Sequence, residues 1–360
     1  MKKIYIDAIL EKNLGDDLFI HILTSRYKEH VFYSQTKFNY NDYKKYKNLK
    51  IYSGKYVKYT NKLMSGIFKQ GKFLGKILKA KCDYMVSIGG SIFMEWGNID
   101  KIKRHFSIYD KEKPYFILGS NFGPYKTNAY KQFIKENVLR NAQDVCFRDE
   151  YSYDLFKDLS NVRHAADIVF TLDTSKIKKT DEKKVIISVI ECSRKTTMED
   201  KEKYEKKIIE MSEYFINKNY KVILMSYCKA EKDEEAIESI LSRCNNELKS
   251  KINTYCYNGN IEEALNVMGD CQIVIGTRFH ANIIGLLLGK TIIPIAYSEK
   301  TINVLQDMNF KGKILKVQDI ENFNVNTLTE SDLNYKHDVS EQIKDAQRQF
   351  EVLDKLLKRD

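Results

Sequence analysis

The sequence predicts two α/β domains, each built on a mainly parallel sheet, and three observations carry that prediction. A chain of 360 residues suits about two domains with a sizeable core. Short β-branched apolar runs alternate with helix-period segments almost from end to end. One polar, lysine-rich stretch, Thr174 to Lys184, interrupts the alternation between two apolar strands and reads as a linker. Domains at 1–178 and 179–336 follow, with a C-terminal helix at 337–360.

Met1-Lys2-Lys3-Ile4-Tyr5-Ile6 enters the first strand directly, with no signal-peptide pattern. Strands are expected near 3–9, 30–34, 49–53, 84–88, 115–119, 144–148 and 166–171, with helices near 16–27, 61–80, 127–141 and 150–158. After the linker, strands fall near 185–190, 221–226, 254–257, 272–276, 291–296 and 313–317. The helices of that half fall near 200–217, 231–244, 261–268, 280–288 and 300–308. Ile343, Ala346, Phe350, Leu353 and Leu357 then recur at helical spacing. That stripe needs a docking surface, and the first domain can supply one.

Hydrophobic residues make up 43% of the chain, which excludes wholesale disorder. Sixty Lys+Arg against 49 Asp+Glu give +11, spread along the chain. Such a balance is compatible with nucleic acid, an anionic membrane or phosphorylated substrates and selects none of them. The seven cysteines form no Cys-x-x-Cys pair and read as reduced thiols of a cytoplasmic protein. No metal-ligand spacing appears, so no metal is expected. No apolar run approaches the ~18 residues of a membrane span. Lys62 to Lys79 (within a segment 62–81) is basic, amphipathic and free of acid, with lysines at 69, 72, 76 and 79. A core-packed helix with a solvated lysine face explains it as well as a surface helix on anionic headgroups does.

The chemistry concentrates where strands run into helices, the edge at which open α/β sheets bind ligands. Cys271 to Ile275 is a buried-type strand, and Gly276-Thr277-Arg278-Phe279-His280 turns it into an apolar helix. Arg278 and His280 therefore sit beside a helix N-terminus, where free backbone N–H groups favour an anion. Lys300 follows the next strand, in Ala296-Tyr297-Ser298-Glu299-Lys300. After the first strand comes Asn13-Leu14-Gly15-Asp16-Asp17, in which Asp16 is a helix cap or a carboxylate at the functional edge. Gly89-Gly90-Ser91 and Gly119-Ser120-Asn121-Phe122-Gly123-Pro124 end two further strands and match no dinucleotide or P-loop fingerprint. Arg148 closes Val145-Cys146-Phe147-Arg148, as a local ion-pair partner of Asp149 or Glu150 or as a guanidinium reaching an anion.

Together these segments resemble the polysaccharide pyruvyl transferases over nearly the whole chain. The resemblance rests on Asn13-Leu14-Gly15-Asp16, Ser87-Ile88-Gly89-Gly90, Gly119 to Pro124, Phe147-Arg148-Asp149-Glu150 with Ser152, Ala166 to Phe170, Arg278-Phe279-His280-Ala281, and Pro294-Ile295-Ala296-Tyr297 with Lys300. One departure is Ser91, where many members carry a third glycine. The resemblance implies a GT-B-like pair of Rossmann-like domains facing each other across a cleft. It implies transfer of pyruvate from phosphoenolpyruvate onto two sugar hydroxyls, giving a cyclic ketal and phosphate, with no further cofactor. His280, Asp16 and Arg148 become the candidate catalytic residues. Arg278, Lys300, Asn13, Gly15, Gly89, Gly90, Ser91, Asn121 and Tyr297 become candidate substrate-binding residues.

The acceptor left open is a lipid-linked capsule or exopolysaccharide unit, a wall polymer or a nucleotide sugar. A lipid-linked acceptor would place the enzyme at the inner face of the cytoplasmic membrane. Two other readings compete. A GT-B glycosyltransferase using a nucleotide sugar often carries an acidic pair on its ligand face, and the loop after His280 offers none. A nucleic-acid or membrane-binding protein would show a concentrated cationic stripe with interleaved aromatics, and here the charge is diffuse outside 62–81.

Overall fold

The structure is a computed structural model and describes residues 1–38, 42–68 and 72–358. In it the strand–helix alternation becomes two sheets in which every strand pair is parallel. The first contains β1 (Lys3–Asp7), β2 (Val31–Thr36), β3 (Leu49–Ser53), β4 (Tyr84–Ile88), β5 (Tyr115–Ser120), β6 (Asp144–Phe147) and β7 (Val162–His164), in the order β3-β2-β1-β4-β5-β6-β7. The second contains β8 (Glu182–Ser188), β9 (Lys221–Ser226), β10 (Ile252–Cys256), β11 (Cys271–Gly276), β12 (Thr291–Ala296) and β13 (Leu315–Lys316), in the order β10-β9-β8-β11-β12-β13. Strands β5, β6 and β12 are buried at every residue because helices cover both faces, which is why they read as unbroken runs rather than alternating ones. The strand order reverses between β1 and β4 and again between β8 and β11. Crevices at the carboxyl ends of such reversals are the ligand sites of open α/β sheets.

The chain divides into two compact units, Met1–Glu11 with Leu18–Thr171 and Lys344–Asp360, and Lys12–Asp17 with Leu172–Ile343. The C-terminal segment thus returns to the first sheet. Phe350, Leu353 and Leu357 are buried there, while Ile343 stays exposed. Polar ties fix the register: Tyr27 Oη donates to Asp354 (2.7 Å). Gln349 accepts from Gly119 N–H (2.9 Å) and donates to the Ala165 carbonyl (2.8 Å).

Two elements differ from expectation. Residues 166–171 form no strand; Ile168–Thr171 is a 3₁₀ turn, and the edge strand is β7, four residues earlier. The Asp167 carboxylate accepts from Val169 N–H (2.8 Å), a local bond that turns an apolar run whose composition alone looks extended. The single helix expected at 61–80 is two, Lys55–Phe68 and Phe73–Ala80. Three of its lysines are engaged within the fold. Lys72 holds both Asp7 oxygens (2.6 and 2.8 Å). Lys79 is buried on the Ile108 carbonyl (2.8 Å) and Asp110 (2.6 Å), and Lys76 lies 3.8 Å from Asp110. Lys69, Gln70 and Gly71 lie outside the described residues.

Asp7 ends β1 inside a small polar cluster. Tyr109 Oη donates to it (3.1 Å) and lies 2.6 Å from Ser87 Oγ. Burial pushes the neighbouring His105 imidazole down to about 4, with Lys72 deepening the depression and Asp7 opposing it. Unfolded, a histidine titrates near ~6.5, so between the two values the unfolded chain binds more protons. This residue therefore removes stability as the pH falls from about 6.5 towards 4. In urea unfolding, His105→Gln should lose less stability than the parent on going from about pH 7 to about pH 5. Equal losses would contradict the assignment.

Candidate active site

In the second unit the reversal point is built from the ends of β8 and β11. Arg278 caps the helix Phe279–Leu287, and its N–H donates to Ser188 Oγ at the end of β8 (3.2 Å). The residue is 7% exposed, and its guanidinium grips Asp233 with Nε (3.0 Å) and Nη2, while Nη1 donates to Glu231 (2.9 Å). Asp233 also accepts from the backbone N–H groups of Tyr227 (3.0 Å) and Cys228 (2.9 Å). Lys195 pairs with the same Glu231 oxygen, Oε2 (2.9 Å). Burial would raise the Glu231 carboxyl, but Arg278 and Lys195 hold it down at about 2. An arginine expected to meet substrate directly is thus clamped first by two carboxylates of its own unit.

Those carboxylates were not legible as site residues. Glu231 to Glu235 reads as the acidic start of a solvated helix, and that start does open the helix Asp233–Arg243. The acidic pair sought for a nucleotide-sugar enzyme is therefore present on this face, supplied by the loop after β9 and not by the one after β11. Both members are committed to Arg278 and Lys195. Lys195, in the polar loop after β8, had no distinguishing sequence signal.

The segment Lys12–Asp17 packs on this same unit. Leu14 N–H donates to the Tyr227 carbonyl (3.1 Å), Tyr257 Oη donates to buried Asp17 (2.7 Å), and Asn13 bridges Cys228. The helix begins at Leu14, so the cap is Asn13, whose Oδ1 accepts from Gly15 N–H (3.0 Å). Asp16 stands in the first turn instead. Gly15 lies against the half-buried His280 so closely that an added Cβ would fall 1.9 Å from Nδ1. Only glycine permits this approach, and Asp16 is the residue that follows it in the first turn of the helix. Gly15→Ala must displace the imidazole, and a misplacement of about 1 Å is expected to lower turnover ~10²-fold with the melting temperature little changed. Near-parental turnover would show that the contact has no bearing on chemistry.

Lys300 and Tyr297 complete the face, with the Lys300 ammonium 5.6 Å from the Tyr297 ring centre. Burial would push the Tyr297 phenol up, yet Lys300, Arg278 and Lys195, in that order, hold it below its ordinary value. The depression marks a local positive potential even with Glu231 opposing it. A face with this positive potential can receive a small anion.

The remaining candidates lie at the carboxyl edge of the first sheet. Arg148 follows β6, and its side chain is 1% exposed, bonded to Asp167 (2.9 Å) and to Asn121 Oδ1 (2.8 Å). The neighbouring Asp149 caps the helix Glu150–Asp154. A Cβ on Gly90 would come within 2.6 Å of Arg148 Nη1. Asn121 N–H donates to the Gly90 carbonyl (2.8 Å), so Arg148 ties the loops after β4 and β5 to Asp167. Gly89, Gly90 and Ser91 lie in the first of these loops, Ser91 half-buried at its outer end. Among the described residues, no group of three or more His, Cys, Asp or Glu is disposed to hold a metal, and no helix is long and apolar enough to cross a membrane.

Two Rossmann-like units, each a parallel sheet whose strand order reverses, define the GT-B fold class. Solved structures agree on the fold: HepE of Anabaena in complex with UDP and glucose (TM-score 0.58, 10% identity, all of both chains). The UDP-GlcNAc 2-epimerase of Methanocaldococcus jannaschii also matches (TM-score 0.60, 11% identity, 98% of each chain). Within that class, the profile of the polysaccharide pyruvyl transferases matches residues 13–299, and the chain belongs to that family. A curated relative is the amylovoran biosynthesis protein AmsJ of Erwinia amylovora, 20% identical over 293 residues, covering 75% of this chain and 70% of the relative.

Proposed function

We propose that the protein takes pyruvate from phosphoenolpyruvate and joins it as a cyclic ketal to two hydroxyls of a sugar in a surface-polysaccharide precursor, releasing inorganic phosphate. The observation that carries the reading is the packing of Gly15 on His280. We take His280, Asp16 in the turn that holds Gly15, and the cations around Tyr297 as one working site. Phosphoenolpyruvate has what such a face would hold: a carboxylate, a phosphate and a carbon that must be protonated.

His280, as imidazolium, gives its proton to the C3 methylene, and positive charge develops at C2. Asp16 accepts the proton of the first sugar hydroxyl as its oxygen bonds to C2. The C2–O bond to phosphate then breaks, phosphate leaves with the bridging oxygen, and the second hydroxyl closes the ketal as its proton passes to the departing phosphate. Lys300 and the outer edge of the Arg278–Lys195 cluster hold the anionic groups and stabilise charge on the departing phosphate. Arg278 acts both by its own charge and by fixing Glu231. Arg148, enclosed by Asp167, Asn121 and Gly90, acts as a positioning residue for the glycine loops of the first sheet.

Incubation with ¹⁴C-labelled phosphoenolpyruvate and a panel of lipid-linked and soluble sugars tests the reading. Label appearing on a sugar together with phosphate release is expected. Protection by a nucleotide sugar, with no effect of phosphoenolpyruvate, would instead favour glycosyl transfer.

A further inference from the structure

The helix Lys55–Phe68 of the first unit contains no acidic residue in its first turn or anywhere else along its length. Val57 is its buried anchor, 2% exposed, while Thr60, Asn61 and Met64 are half-buried. Its outer side carries Tyr56 (70% exposed), Tyr59 (65%) and Leu63 (66%). Lys55, Lys58 and Lys62 are exposed beside them. Both sets follow the spacing i, i+3, i+7, so they form two stripes along the helix, separated by about 100° around its axis. Tyr52, 44% exposed at the end of β3, extends the aromatic surface.

A patch of two tyrosines and a leucine left in water indicates an interaction surface, and the lysine row identifies the partner. Protein interfaces deplete lysine, and a row of it with no acid between repels most basic surfaces, including a second copy of this +11 chain. An anionic bilayer matches both stripes. Tyrosine rings settle at headgroup depth, leucine enters the acyl boundary, and lysine stems reach lipid phosphates. We propose that this helix docks the protein on an anionic lipid bilayer, with Tyr56, Tyr59 and Leu63 inserted and Lys55, Lys58 and Lys62 against the headgroups. The membrane face thus lies on the first of the two helices, away from the internally paired Lys72, Lys76 and Lys79. The inference stands independently of the reaction, because it rests on surface chemistry alone.

The test uses the full chain with vesicles of phosphatidylcholine, or of phosphatidylcholine and phosphatidylglycerol in equal parts, read by sedimentation. Binding to the anionic vesicles that weakens with salt is expected. Each Lys→Gln change should weaken it about fivefold at low salt, and the triple Lys55→Gln, Lys58→Gln, Lys62→Gln variant about a hundredfold. Tyr56→Ser, Tyr59→Ser and Leu63→Ser together should also release the protein, leaving only a weak, salt-sensitive residue of binding. All six positions are exposed, so unchanged melting curves will show that folding is intact. Equal binding by parent and variants, or no binding by the parent, would overturn the proposal. So would lipid-free dimerisation that Leu63→Ser abolishes, since it would give the face to a second copy. Neither phosphoenolpyruvate nor sugar enters the assay, so its failure would leave the proposed reaction standing.

Discussion

Replacing His280 by alanine is expected to lower turnover by ~10³-fold while leaving the KM for phosphoenolpyruvate within a few-fold of the parent. The residue occupies the first turn of the helix Phe279–Leu287, half-buried, with Gly15 against its ring. A phosphate bound beside the ring favours its charged form, so arrival of the donor helps to charge the acid that must protonate it. His280→Gln keeps the volume and a hydrogen-bonding group but has no proton to give at neutral pH, so it should fall as far as alanine. Steady-state kinetics of both variants check the claim. Turnover by either one close to the parent would remove His280 from the chemistry.

Arg278→Met is expected to destabilise the second unit by about 3–5 kcal/mol, a large part of the ~5–15 kcal/mol that holds a domain together. Asp233 is fully buried, and its partners besides Arg278 include two backbone N–H groups. Without the guanidinium its charge is uncompensated, and Glu231 keeps only Lys195. Adding Asp233→Asn to Arg278→Met should recover a good part of the loss, because the stranded charge is gone. Arg278→Lys should recover less, since one ammonium cannot meet Asp233 through two nitrogens and Glu231 through a third. Urea unfolding of the three variants checks the order. A loss below about 1 kcal/mol for Arg278→Met would show that the cluster is not the electrostatic keystone described here.

Much of this was legible in the sequence because parallel sheets announce themselves. β11 and β12 are rich in β-branched residues, β5 is an aromatic and aliphatic run, and each leads directly into a polar turn. The C-terminal stripe was legible for the same reason, since Phe350, Leu353 and Leu357 repeat at a period only a helix satisfies. What escaped was set by side-chain bonds between distant residues. Asp167 turned an apparent strand into a 3₁₀ turn, and the three-residue β7 was too short to show a period. Asn13 took the cap that Asp16 looked suited to take. The Glu231–Asp233 clamp came from a charge run that resembles an ordinary solvated helix start. Burial of Arg148 by Asn121 and Asp167 spans 27 and 19 residues of chain and left no local trace.

The most direct test of the central claim follows the atoms of the donor. Phosphoenolpyruvate labelled with ¹⁸O in the C2–O–P bridge is supplied with an accepted sugar in D₂O, and phosphate and ketal are read by mass spectrometry and NMR. The account predicts that all the bridging ¹⁸O leaves in phosphate and that the ketal methyl gains one deuterium. Bridging ¹⁸O retained with the pyruvyl carbons, or a methyl group without deuterium, would contradict it.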